Sequence, residues 1–292
     1  GSVCMVAQRF MIWFILVVRL CLGRWLVHLS LTGLGLCLPI ISSLVGFANL
    51  CGMGGAPLCS IHLGKGENEE AERILGNSFT LLLLFGGGLT VFCLAFRRPI
   101  LYLFGASDLT FPYANDYLTI GLLGTLFVMI GLGMNPFINA QGFSRMGMMT
   151  VALGAAVNIV LDPIFIFALD MGVRGAALAT VLAQGVSAAL GLGYLFRVKR
   201  VCRGVSFRLN RRTVLRLLAT SLSPFGLTML NTVTLVVINR GALAYGGSLA
   251  VACYAVMSYA ICMVHFIIQG IGDRAPPLLS RYYGAGETEA LP

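Results

Sequence analysis

Residues 52–69 read Gly52-Met53-Gly54-Gly55-Ala56-Pro57-Leu58-Cys59-Ser60-Ile61-His62-Leu63-Gly64-Lys65-Gly66-Glu67-Asn68-Glu69. Residues 272–289 read Gly272-Asp273-Arg274-Ala275-Pro276-Pro277-Leu278-Leu279-Ser280-Arg281-Tyr282-Tyr283-Gly284-Ala285-Gly286-Glu287-Thr288-Glu289. Placed in register at an offset of 220, the two stretches share Gly, Pro, Leu, Ser, Gly, Gly, Glu and Glu at eight of eighteen positions. Both sit where an apolar run meets a charged loop. Chance similarity between two Gly-rich helix ends is the alternative, but the Pro-Leu pair and the acidic positions match as well as the glycines. A period this long inside an apolar chain points to a duplicated, two-lobed membrane bundle. A period of 20–50 residues would have meant a solenoid.

Composition agrees. The chain is 58% apolar with 11% charged residues, against about 25% charged in an average soluble domain. Several apolar runs of about 20 residues follow one another, each long enough for a hydrocarbon core of ~30 Å. These runs do not alternate, so a transmembrane β-barrel is excluded. The predicted fold class is an all-α, polytopic helical membrane bundle. Spans are expected near 10–22, 29–61, 79–96, 117–139, 146–169, 175–196, 217–245 and 248–269. The first is short, interrupted by Arg19, and flanked by Arg9 and Arg24. Offset by 220, residue 1 corresponds to residue 221, inside a span, so the first helix is expected to be incomplete or damaged. A signal peptide with residues 10–18 as its apolar core is the other reading.

The net charge of +9 is no nucleic-acid signal, because eight of the twenty basic residues crowd one connection. They are Arg197, Lys199, Arg200, Arg203, Arg208, Arg211, Arg212 and Arg216. No aromatic platform is interleaved with them. Such a loop is cytoplasmic under the positive-inside rule and also attracts anionic membrane lipid. Alternation then puts Lys65, Arg73, Arg145, Arg274 and Arg281 on the same side, thirteen basic residues in all. The other side keeps Arg97, Arg98, Arg174 and Arg240, four in all. The two repeated loops share the cytoplasmic face, so the repeat is parallel, about an axis along the membrane normal. Residues 98–105 are expected to lie along the outer interface as a short helix. The nine cysteines include no Cys-x-x-Cys pair and the three histidines have no ligand spacing, so neither a disulfide framework nor a metal site is expected.

Of eleven acidic residues, only Asp162 lies well inside an apolar span. A carboxylate there is expensive to keep charged and marks a functional site by default. Asn158 stands four residues before it, on the same helix face. Pro163 removes a backbone donor and frees a carbonyl to line a cavity. Such a carboxyl can exchange a proton or Na⁺ as its surroundings alternate between wet and dry. The structural alternative is an Asp that caps the backbone broken at Pro163. Asn135, Asn139, Gln141, Asn231 and Thr232 are the candidates for a substrate cavity, with hydrogen bonding between helices as the competing reading for each. No Gly-x-Ser-x-Gly, His-Glu-x-x-His or P-loop occurs, so no enzymatic activity and no cofactor is expected.

Together these residues resemble the multidrug and toxic compound extrusion (MATE) family, in particular its MepA-like branch. The resembling pieces begin with Gly54-Gly55-Ala56-Pro57, Leu63-Gly64-Lys65-Gly66 and Ala71-Glu72-Arg73-Ile74-Leu75-Gly76-Asn77. They continue with Asn139-Ala140-Gln141-Gly142, residues 158–165, and Val173-Arg174-Gly175-Ala176-Ala177-Leu178-Ala179-Thr180. The similarity runs over about residues 30–292. It implies twelve helices in two six-helix lobes. Residues 1–198 would be the N-lobe, 199–214 the inter-lobe loop, and 215–292 the first two helices of the C-lobe, with four spans missing. It implies secondary active export of lipophilic or cationic compounds, small-molecule drugs or toxic organic cations, across the cell membrane, by antiport with Na⁺ or H⁺ and alternating access. It also implies an N-lobe cation site at Asp162, Asn158 and Thr180. The family commonly carries an Asp in its first helix, whereas residues 1–28 hold no acid. Thr232 stands where the norfloxacin-exporter branch has a Glu. The alternatives are a non-transporting truncated fragment and a flippase for lipid-linked saccharides.

Overall fold

The computed structural model describes residues 28–103, 111–198 and 209–272. All regular structure among them is helical. The helices are α1 (His28–Gly64), α2 (Asn68–Ala95), α3 (Arg97–Leu103), α4 (Phe111–Leu123), α5 (Thr125–Ala140), α6 (Ser144–Pro163), α7 (Gly172–Gly193) and α8 (Arg211–Gly272). Segments 10–22 and 273–289, with the second copy of the repeat from Asp273 onward, lie outside the described residues. Ile40–Gly64, Asn68–Ala95, Ser144–Ile166, Gly172–Phe196 and Arg211–Ile238 are long and apolar enough to cross a membrane. The pair α4–α5 makes a sixth such span, bent by 53°.

The first repeat copy is a helix–turn–helix corner. α1 ends at Gly64, Gly66 turns the chain with φ +79°, and α2 starts at Asn68. A side chain on a left-handed backbone is disfavoured by about 1–2 kcal/mol, which explains the glycine at this place. Glu69 and Glu70 fill the first turn of α2, where the positive end of the helix dipole favours them. His62 Nδ1 lies 2.6 Å from Glu67 Oε2 across the corner.

Two apolar clusters form the core. The cytoplasmic one gathers Cys51, Leu75, Leu82, Met134, Phe137 and Leu195, with Leu217 added from α8. The outer one gathers Cys37, Ile40, Leu44, Leu101, Leu118 and Leu122. Leu84, Val91, Leu123, Val160 and Leu182 are exposed, as expected of residues that face lipid.

Within a membrane no hydrophobic drive separates helix from lipid, so small residues set the close contacts. A Cβ on Gly52 of α1 would meet the backbone carbonyl of Gly133 in α5. The α4–α5 span breaks beside Gly124, whose missing side chain leaves room for Val181 of α7. Thr90 Oγ1 of α2 lies 3.3 Å from the Leu122 carbonyl at the break. A hydroxyl inserted at a helical carbonyl is an established cause of a kink.

One difference from the sequence expectation concerns residues 217–245 and 248–269. The structure carries them as the single helix α8, 62 residues long. The intervening Gly246-Gly247 are helical. Two helical glycines cost only about 1 kcal/mol each, and no proline between 225 and 272 forces the chain to turn.

Candidate functional site

Asp162 sits in the last turn of α6, in the outer half of the bundle. Ser144, at the cytoplasmic end, lies 18 residues before it, or about 27 Å along the axis. The carboxyl is 5% exposed and Asn158 7% exposed. Asn158 Nδ2 donates to Asp162 Oδ1 over 3.2 Å. The ion pairs among the described residues join His62 to Glu67, Arg73 to Glu70 and Arg174 to Asp116. Asp162 belongs to none of them. Among the described residues, a neutral amide is therefore the side-chain partner of this buried acid.

The local backbone explains the position. Pro163 has no N–H for the Ile159 carbonyl, so one main-chain oxygen is released beside the carboxyl. The chain then widens into a π-turn, Ile164–Ala168, a geometry that recurs at functional sites. Leu169 N–H reaches back to Ile164 O at 3.0 Å, and Met171 N–H to Phe165 O at 3.1 Å.

Thr180 lies on α7, which packs antiparallel to α6. A Cβ on Gly175 would stand 2.7 Å from Phe165 O, and one on Gly154 3.0 Å from Ser187 Cβ. That register places Thr180 level with the Asn158–Asp162 turn. Its hydroxyl donates to Ala176 O at 2.9 Å, so its lone pairs stay available to a cation. Asp162, Asn158 and Thr180 thus share one level of one helix pair.

The other five candidates lie elsewhere. Asn135 Nδ2 donates to Gly147 O at 2.8 Å and lies 3.2 Å from Thr150 Oγ1. Asn139 Nδ2 donates to Asn135 Oδ1 at 3.3 Å. Asn135 thus ties α5 to the cytoplasmic start of α6 while Asn139 bonds within α5, and Thr150 is about 18 Å along α6 from Asp162. Gln141 occupies the turn after α5. Asn231 is exposed on α8, and Thr232 donates its hydroxyl to Thr228 O at 3.0 Å.

Sequence reasoning passed over Asn49 and Asn77. Asn77 is 1% exposed and accepts the Asn210 N–H on Oδ1 at 2.9 Å, which fixes the start of α8 to α2. Asn49 Nδ2 lies 3.4 Å from Thr228 Oγ1. Their signal was an amide within an apolar run, the same signal that singled out Asn135.

Residues 4–164 match the MatE family. The chain is 28% identical over 263 residues to "Multidrug export protein MepA" of Staphylococcus haemolyticus (strain JCSC1435), covering 88% of this chain and 57% of that protein. The chain thus spans little more than half the length of this curated relative. A solved structure of the "MATE multidrug transporter DinF-BH" superposes with a TM-score of 0.86 at 28% identity, over 97% of this chain and 64% of that one. A crystal structure of MATE in complex with MaD3S gives a TM-score of 0.88 at 23% identity, over 98% and 65% of the two chains, and speaks for the fold alone.

Proposed function

The chain belongs to the MatE family and is a multi-pass protein of the cell membrane; from that premise we propose that it works in secondary active efflux. Its cargo is lipophilic or cationic small molecules, exported in exchange for Na⁺ or H⁺ by alternating access. In this reading residues 1–198 form one lobe, 199–214 the connection, and 215–292 the start of the second lobe.

The observation that supports the reading is a 5% exposed carboxyl in an apolar span, with one amide partner and no basic one among the described residues. From the outer side a cation reaches Asp162, with Asn158, Thr180 and the released Ile159 carbonyl as supporting oxygens. Binding neutralises the acid and removes the energetic penalty of enclosing it in a dry site. The cation thus favours the arrangement in which the outer side closes, and it leaves when the site meets the cytoplasm. The widened turn after Pro163 gives α6 a place to repack as this happens.

The test uses the full-length protein in cells stripped of their own multidrug exporters. Ethidium efflux is followed while an inward Na⁺ or H⁺ gradient is imposed. Asp162→Asn is expected to reduce gradient-driven efflux at least tenfold at an unchanged membrane level. Efflux by Asp162→Asn with the gradient response of the parent would refute the role of this carboxyl.

A further inference from the structure

Arg97 and Arg98 open α3, directly after the outer end of α2, and both are exposed. Neither joins an ion pair among the described residues. Arg174, on the same side of the bundle, is by contrast neutralised by Asp116 at 2.9 Å. Arg97 Nη1 donates to Thr119 Oγ1 of α4 over 3.4 Å, a long hydrogen bond. That hydroxyl itself donates to Asn115 O at 2.7 Å, so it is a neutral acceptor with no charge to offer. Arg98 stands over the Phe111 ring, 5.7 Å from its centroid. A guanidinium carries five N–H donors, and these contacts leave most of them to the surroundings.

The depth of the pair decides what those surroundings are. α4 starts on the outer side at Phe111 and runs inward, so Thr119 lies about 12 Å along its axis. A headgroup layer is about 5–8 Å thick, half the difference between the whole bilayer and its hydrocarbon core. The Arg97–Thr119 contact is therefore at, or just beneath, the level of the lipid phosphates. A guanidinium at that depth needs a headgroup or a counter-ion within reach.

The neighbouring surface is apolar and open. Val91, Phe92 and Phe96 are 69%, 55% and 51% exposed, and the two rings lie 5.0 Å apart. On the other flank Phe111 stacks with Tyr102 at 5.4 Å, their planes 11° apart, which ties the corner between α3 and α4. The two cations thus sit between a greasy strip on α2 and an aromatic corner at the headgroup level.

We propose that Arg97 and Arg98 form a binding site for an outer-leaflet phospholipid with a net negative headgroup. Its phosphate lies against the two guanidiniums, and one acyl chain runs along Val91, Phe92 and Phe96. Charge complementarity selects this occupant, because the anions available at that depth are lipid phosphates. A guanidinium fork matches phosphate oxygens in pairs. Two adjacent cations favour a headgroup that brings no ammonium of its own. Arginines on the outer side run against the positive-inside bias, and a bound anionic lipid removes their excess charge. The site stands apart from Asp162 and from the exporter reading.

The experiment uses the full-length protein carrying Phe96→Trp, reconstituted in phosphatidylcholine vesicles. Phosphatidylglycerol or phosphatidylcholine with brominated chains is added at equal mole fraction. Quenching at position 96 is read as the difference from the parent, whose own tryptophans set the baseline. The expected result is a preference for phosphatidylglycerol of about fivefold, the effect of one arginine beside anionic lipid. In the same background, Arg97→Gln with Arg98→Gln is expected to make the two lipids quench equally. Arg97→Lys with Arg98→Lys keeps the charge and is expected to keep most of the preference. Equal quenching by both lipids in Phe96→Trp, or an undiminished preference in the double glutamine variant, overturns the proposal. Loss of preference in the lysine variant traces it to something other than charge and also counts against the site. Inorganic phosphate that abolishes the preference, where sodium chloride of equal ionic strength does not, would assign the arginines to free phosphate and overturn the lipid.

Discussion

Ser78 is 0% exposed, and its hydroxyl has no hydrogen-bond partner among the described residues. A buried polar group left unmatched costs about 1–3 kcal/mol. Ser78→Ala removes that group without opening a large void, so it is expected to stabilise the protein by about 1 kcal/mol, read as a higher denaturation midpoint in detergent. Most substitutions at fully buried positions do the opposite, so the sign is the test. Gly66 is the converse case, with φ +79° and open space around it. Gly66→Ala therefore strains the backbone alone and is expected to lower stability by about 1–2 kcal/mol. Gly66→Asn should lose less, because Asn tolerates this conformation. A neutral Gly66→Ala would remove the conformational account of why glycine stands at 66.

Among the elements, the bend at Gly124 offers a clean double-variant cycle. Gly124→Ala pushes a Cβ into Val181 and is expected to destabilise by about 1–3 kcal/mol through overpacking. Adding Val181→Ala should recover part of the loss, a coupling visible in the same denaturation measurement. Additive losses would mean the two residues do not share the space. The sequence made the described spans legible because each is a long apolar run, and Pro163 marked where the backbone of α6 is disturbed, though not the π-turn that follows. The bend was not legible. No proline marks it, and the hydroxyl beside it comes from Thr90, more than thirty positions earlier in the chain. Asp162 and Asn158 could be paired from four-residue spacing alone, whereas the level of Thr180 needed the α6–α7 register. The continuous α8 was missed because Gly246-Gly247 reads as a turn by composition, yet nothing there forbids a helix.

For the whole molecule, charge asymmetry orients the bundle. Lys65, Arg73, Arg145, Arg211 and Arg212 lie at one end, and Arg97, Arg98 and Arg174 at the other. Arg98→Cys is expected to react with a membrane-impermeant maleimide added outside intact cells, and Lys65→Cys only after the membrane is opened. The reverse pattern would invert the orientation of the bundle. A further consequence lies in the make-up of the two core clusters. Among the described residues, the outer cluster is drawn wholly from residues 37–122, and the cytoplasmic one takes nothing later than Leu195 except Leu217 and the partly buried Phe196 and Val214. During synthesis, then, residues 28–198 have nearly all of their described interior in hand before the ribosome reaches α8. α8 arrives at a surface already formed, with Gly46 and Gly54 as notches for Met229 and Ser221, so assembly is expected to run in the order of translation, by docking rather than joint collapse.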